Sequence, residues 1–254
     1  MSGLDFLKRI VRRTPLAGPA RSLHRRLWPP LANERNALYD QEAAEVMARV
    51  LTSNSNCLDV GAHTGSILRI ILRHADKGHH VAFEPLPHFA AGLRLDFPQV
   101  DVRELALSDT AGETTFEYVV TNPGHSGLRR RRYERPDEQI QTITVRAARL
   151  DDLIPDDRPI ALVKIDVEGG ELQVFRGGVA TLKRCRPFVV FEHGKGAAEY
   201  YGTTPAAVYD VLVEQCGLRV NLMKHWLQGA RPFTRGGFVE HFDHGRDFYF
   251  LAHP

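Results

Sequence analysis

Two periods of apolar and polar residues alternate along this chain. Residues 40–51 carry Ala43, Val46, Met47 and Val50 at helical spacing, and the polar run 52–55 then leads into a short apolar stretch, Cys57-Leu58-Asp59-Val60. That stretch predicts a strand running into the loop 61–65, with a helix over 67–74. The unit recurs as a strand over 80–84, a helix over 87–97 and a strand over 100–107. Residues 160–166 predict a fourth strand, about 171–183 a helix, and 187–192 a fifth strand. Thr204-Pro205 opens a helix through Gln215, with Thr203 or Thr204 as its cap and Pro205 in its first turn. Two more strands are expected over 218–222 and 247–252. Strands alternating with helices of this length predict an α/β fold of about seven mostly parallel strands, with right-handed crossovers and helices on both faces.

The rhythm breaks in two places. Between Gly112 and Val145, residues 114–119 and 141–145 are β-rich around a polar, arginine-rich centre, which predicts an insertion or lid. The first 55 residues read as a separate helical segment, leaving 56–254 as the main domain, with 217–254 supplying its C-terminal strands. In the helical segment, Lys8, Arg9, Arg12, Arg13, Arg21, Arg25 and Arg26 interleave with Leu4, Phe6, Leu7, Ile10, Val11, Leu23, Leu27 and Trp28. Three readings stand: an apolar stripe packed on the domain, a basic helix lying on an anionic membrane, and an organellar presequence.

Composition narrows the class only a little. With 254 residues and 43% hydrophobic content, one α/β domain with appended segments accounts for the length. A formal charge of +2 implies no global field that would demand nucleic acid or a membrane. Cys57, Cys185 and Cys216 lack the paired spacing of a zinc site or disulfide framework, so they read as reduced core residues. With no secretory leader and no long apolar run, the expected location is cytoplasmic, without a transmembrane segment.

The candidate chemistry begins at Asp59-Val60-Gly61-Ala62-His63-Thr64-Gly65. Gly61 and Gly65 let the backbone turn sharply and approach a ligand. A dinucleotide fingerprint has a middle glycine where a pyrophosphate approaches, and this loop lacks one. Glu84, at the end of the second strand, stands where an acid can hold both ribose hydroxyls of an adenosine cofactor. Lys164 inside an apolar strand needs a carboxylate, and Asp59, Glu84 or Asp166 could supply it if they converge at the carboxyl edge of the sheet.

Four segments occur in order: Leu58 to Gly65; Ala82-Phe83-Glu84-Pro85-Leu86-Pro87; Ala106-Leu107-Ser108-Asp109; and Leu162-Val163-Lys164-Ile165-Asp166-Val167-Glu168-Gly169-Gly170-Glu171-Leu172. Over about residues 56–192 the chain resembles the FkbM family of methyltransferases, most specifically in the Lys-Ile-Asp-Val-Glu-Gly stretch. The resemblance implies a Rossmann-like class I methyltransferase fold, S-adenosylmethionine as methyl donor, and O-methylation of a hydroxyl on a sugar, polyketide or related metabolite. It implies cofactor binding by Asp59, Gly61, His63, Gly65, Glu84, Ser108, Asp109, Lys164 and Asp166. His63 departs from the family pattern, in which Asn is commoner at that position.

Transfer to oxygen needs a group to take the hydroxyl proton. His193 and Glu192 after the fifth strand are the preferred candidates, with Asp166 beside them and His225, His241 and His244 farther off. Asp166, Glu168, Glu192 and His193 have the chemistry of a divalent site, but no compact ligand spacing demands one, so no metal is expected. The run Arg129 to Arg135 reads as a lid, an anion-binding segment or a solvated loop. The expected partner is a small hydroxylated acceptor, not nucleic acid. The rival readings are a nucleic-acid methyltransferase and a noncatalytic protein on the same scaffold.

Overall fold

The structure is a computed structural model describing residues 32–133 and 137–254. Residues 1–31, with the basic amphipathic stretch, and Glu134 and Arg135 of the arginine run lie outside the described residues. The chain divides at Gln41/Glu42, and the sheets and site below belong to the unit Glu42–Pro254. No helix among the described residues is long and apolar enough to cross a membrane.

Helix α1 (Ala32–Val50) starts well before Asp40, because nothing after Pro30 breaks it; within the second unit it buries Ala43, Val46 and Met47. Then follow β1 (Cys57–Val60), α2 (Ser66–His74), β2 (Val81–Phe83), α3 (Pro87–Asp96), β3 (Asp101–Arg103), β4 (Ala106–Leu107), β5 (Gly112–Val119) and β6 (Ile140–Ala148). The second half of the chain gives β7 (Leu162–Ile165), α4 (Glu171–Gly177), α5 (Val179–Cys185), β8 (Phe188–Glu192) and α6 (Pro205–Tyr209). It closes with β9 (Arg219–Asn221), α7 (Met223–Leu227), α8 (Arg235–Asp243) and β10 (Tyr249–His253).

Seven strands form the main sheet in the order β3-β2-β1-β7-β8-β10-β9. The first five are parallel, and β10 is antiparallel to both its neighbours. The α/β class and the count of about seven strands therefore hold. All four residues of β1 and of β7 are buried, as expected of parallel strands covered on both faces.

Several boundaries differ from expectation. The single strand expected over 100–107 is two: β3 stays in the main sheet, whereas β4 joins a second sheet ordered β4-β6-β5. In that second sheet β5 and β6, which flank the arginine-rich centre, pair antiparallel from Gly112↔Ala147 to Val119↔Ile140. The helix expected over about 171–183 breaks at Gly177-Gly178, where a Cβ on Gly177 would lie 2.1 Å from the Ser108 carbonyl oxygen. The helix opened by Thr204, whose side chain accepts from Ala207 N–H, passes into a π-helical turn over Asp210–Gln215. The cysteines are free, with Cys57 and Cys216 buried and Cys185 only half-buried.

Candidate active site

The carboxyl ends of β1, β2, β7 and β8 lie along one edge of the sheet, and the strand order reverses between β1 and β7, the kind of switch point at which open α/β sheets bind ligands. The glycine loop folds there around its own backbone. Gly61 and Ala62 donate N–H groups to the Phe83 carbonyl, and His63 N–H donates to Glu84 Oε2 at 2.8 Å. Gly61 has φ +73°, and a Cβ there would sit 2.0 Å from the Asp166 carbonyl oxygen. Gly65, at φ +75°, would drive a Cβ into the Phe97 ring. Both glycines are thus required by the protein's own packing, whatever a ligand asks of them.

Glu84 is 4% exposed. Its second oxygen accepts Leu86 N–H at 3.0 Å, so both oxygens are fixed by backbone donors. Burial pushes its pKa up, against those hydrogen bonds and the Lys164 charge. His63 rests on the Phe89 ring at 4.2 Å, and its Nε2 is buried without a hydrogen-bond partner among the described residues. Burial, helped by the Lys164 charge, lowers its pKa.

Lys164 pairs in register with Asp59 across the β1–β7 ladder, so strand geometry puts the cation beside the carboxylate. Its Nζ lies 3.5 Å from Asp59 Oδ1 and 3.9 Å from Asp166 Oδ2, and donates to the Gly61 carbonyl at 2.7 Å. Burial alone would depress the lysine, but Asp59 and Asp166 hold its pKa above the ordinary value. Burial raises the pKa of Asp59 against the pull of Lys164. The expected carboxylate partners are thus Asp59 and Asp166, with Glu84 acting at longer range.

Past β7 the chain turns through Glu168, in the left-handed region at φ +60°. Carboxylate oxygens of Asp166, Glu168 and Glu192 lie within 4.8 Å of one another. Like charges this close cannot all be ionised without compensation. Two cations contribute to it. Arg131 Nη2 is 2.6 Å from Glu168 Oε2, and Lys164 faces Asp166. Burial, then the Asp166 and Glu168 charges, push the Glu192 pKa far up, and Glu192 and Asp166 interact through a side-chain hydrogen bond. Burial and the Asp166 charge raise Glu168 to about 8 even against Arg131. Asp166 is itself penalised by burial, yet Lys164, Glu192 and Tyr249 hold its pKa below the usual carboxylate value.

His193 takes a different position from its neighbour Glu192. It is fully buried, stacked on Phe242 at 4.5 Å and Phe238 at 6.1 Å, and neither ring nitrogen has a hydrogen-bond partner among the described residues. Burial lowers its pKa to about 4. Ser108 and Asp109 hydrogen-bond to each other at 3.3 Å beyond β4, and Ser108 N–H donates to the Ala148 carbonyl. The more distant histidines are held elsewhere: His241 Nε2 lies 3.1 Å from Asp247 Oδ2, and His244 Nδ1 lies 2.6 Å from the Glu240 carbonyl.

Two residues at this edge have weak or no signal in the sequence. Tyr249 donates to Asp166 Oδ2 at 2.6 Å, and no motif marks it; the strand read over 247–252 is its only trace. Arg131 sits in a run read as a unit, yet its neighbours Arg129, Arg130 and Arg132 are exposed while its own side chain is 12% exposed. The segment docks through Arg129 N–H, which donates to the Tyr201 hydroxyl at 3.1 Å.

A five-stranded parallel run, a glycine loop after β1, an acid after β2 and one antiparallel strand slotted beside β8 define a Rossmann-like class I methyltransferase fold. Residues 59–220 match the methyltransferase FkbM domain, and the chain belongs to that family. Methyltransferase sdnD of Sordaria araneosa is 31% identical over 50% of this chain and 61% of its own length. AMB antimetabolite synthetase AmbE of Pseudomonas aeruginosa is 29% identical over 83% of this chain but only 12% of its own. The chain therefore spans less than two thirds of either relative's length. Among solved structures, methyltransferase FkbM from Methylobacillus flagellatus aligns over 80% of this chain and 44% of its own at 13% identity and TM-score 0.49.

Proposed function

We propose that this methyltransferase takes its methyl group from S-adenosylmethionine and delivers it to a hydroxyl of a small molecule. The convergence of the glycine loop, Glu84 and the Asp59–Lys164–Asp166 network on one sheet edge carries this reading. The residues fit the cofactor on several counts. Each Glu84 oxygen accepts one backbone N–H and keeps a lone pair for a ribose hydroxyl. His63 Nε2 is a buried polar atom that a ligand can satisfy. Lys164 and Asp59 set a fixed charge pair beside the loop, suited to a zwitterionic amino-acid end. Gly61 and Gly65 shape that loop, whereas Ser108 and Asp109 would line the adenine side from beyond β4.

When bound, S-adenosylmethionine supplies a methyl group on a positively charged sulfur. The chain's task is to hold the acceptor oxygen in line and to accept its proton. Asp166, with a quarter of its side-chain surface exposed at the carboxyl edge, is the group this reading assigns to that proton. Glu192, whose pKa is pushed up by burial and the Asp166 charge, stands beside it. His193, enclosed by rings, would need an opening motion to meet an acceptor. A small acceptor is favoured over nucleic acid because Arg131 turns inward onto Glu168 rather than outward with its neighbours. The name of AmbE, an antimetabolite synthetase, supports a small-molecule acceptor.

The experiment is calorimetric titration with S-adenosylmethionine, followed by incubation with a library of hydroxylated metabolites. Glu84→Ala is expected to weaken cofactor binding by about 100-fold, since charge-assisted hydrogen bonds to two hydroxyls are lost. Unchanged affinity in that variant would remove Glu84 from the cofactor site. Cofactor binding without any methylated product would favour a noncatalytic scaffold.

A further inference from the structure

The C-terminal strand brings a hydroxyl into the acidic centre. Because β10 runs antiparallel to β8, its first residue lies at the carboxyl edge, where Tyr249 stands opposite Glu192 in register. The Tyr249 hydroxyl donates to Asp166 Oδ2 at 2.6 Å, the length of a charge-assisted O–H···O⁻ bond. Glu192, on the intervening strand, brings a carboxyl oxygen within 4.8 Å of a carboxylate oxygen of Asp166. Three adjacent strands therefore converge on one side chain: β7 leads into it, β8 brings the Glu192 carboxyl beside it, and β10 sends it the Tyr249 hydroxyl.

We infer that Tyr249 is a positioning residue for methyl transfer, clamping the Asp166 carboxylate together with Glu192 so that it meets the acceptor in one orientation. The inference rests on the reading of Asp166 as the acceptor-side carboxylate. An unclamped Asp166 would have competing partners. Lys164 and Asp59 face it from β7 and β1, Glu168 and Glu171 from the following loop and α4, Arg131 from the β5–β6 arm, and His63 from the glycine loop. Rotation toward Lys164 would turn the carboxylate into a purely structural ion pair. With Oδ2 held by Tyr249, the group stays put, and fixed geometry of this kind makes a neighbouring hydroxyl reactive. The tyrosine donates to the charged form of Asp166, so its removal raises the proton affinity of that carboxylate.

The test uses the full chain with ¹³C-labelled aspartate and follows the Asp166 carboxylate by NMR across pH, in the wild type and in Tyr249→Phe. Losing the hydroxyl should raise the Asp166 proton affinity about 10-fold, leaving thermal unfolding within a few degrees. On an acceptor found in the hydroxyl library, kcat should fall about 10-fold. The acid limb of kcat should move to higher pH, and KM for S-adenosylmethionine should stay within about twofold. Glu192→Gln keeps a hydrogen-bonding side chain beside Asp166 and serves as the second variant; its Asp166 titration should stay close to wild type. An Asp166 titration in Tyr249→Phe that overlays the wild type overturns the clamp, as does a shifted titration with unchanged turnover. If no hydroxyl is methylated, the O-methyl reading fails, and the titration alone decides whether the clamp exists.

Discussion

Glu192 and His193 are neighbours in sequence and opposites in environment. Glu192 joins a set of carboxylates, cations and hydroxyls at the sheet edge, where nearly every charge has a counterpart within hydrogen-bond or ion-pair range. His193 lies among Phe238 and Phe242 with both nitrogens unpartnered. Strand alternation sends adjacent side chains to opposite faces, so one step along the chain exchanges a polar network for an aromatic pocket. Both residues are preferred candidates for proton transfer from the sequence, and histidine has the more suitable ordinary pKa. The difference teaches that neighbours, not residue type, decide which group can exchange a proton with a ligand.

The comparison can be broken most forcefully at Lys164. Lys164→Met should destabilise the protein by about 3–5 kcal/mol, because Asp59 would be left buried without its cation. Urea unfolding at neutral pH measures this, and a loss under 1 kcal/mol would show that the network is not holding the edge together. In the aromatic pocket, His193→Leu should change stability at pH 7.5 by less than about 1 kcal/mol, since no hydrogen bond is lost. Its signature is pH dependence. A pKa lowered from 6.5 to about 4 means the folded state disfavours the charged ring. The stability this contributes is present above pH 6.5 and disappears as pH falls toward 4, an effect of about 3 kcal/mol. His193→Leu should flatten that part of the stability–pH curve, and an unchanged acid slope would mean the ring titrates freely. The smallest expected effect is that of chelation. Treatment with EDTA should leave S-adenosylmethionine affinity and methyl transfer unaltered, because Arg131 and Lys164 already pair with the carboxylate trio and burial raises the pKa of Glu192. Loss of either, restored by magnesium, would assign the trio to a cation.

Much of the scaffold could be read in the sequence, because apolar runs such as Leu162 to Ile165 and punctuating residues such as Thr204-Pro205 act locally. The convergence of Lys164 on Asp59 was legible as a need, since an ammonium in an apolar strand demands a carboxylate, though which one depends on register. Tyr249 was hidden because its role comes from β10 entering antiparallel, a tertiary fact with no local marker. The inward turn of Arg131 was hidden among identical neighbours. The break at Gly177-Gly178 could have been suspected from the glycine pair, but its cause, the Ser108 carbonyl, lies far away in sequence.

The close approach of Gly61 to the Asp166 carbonyl has an evolutionary corollary. Two segments a hundred residues apart share one surface with no space for even a methyl group, so neither can drift alone. Relatives that carry a larger residue at the loop position should carry a displaced backbone after β7 as well. Chimeras built by exchanging the strand-to-loop stretch around Lys164 should therefore work only when the glycine loop travels with it.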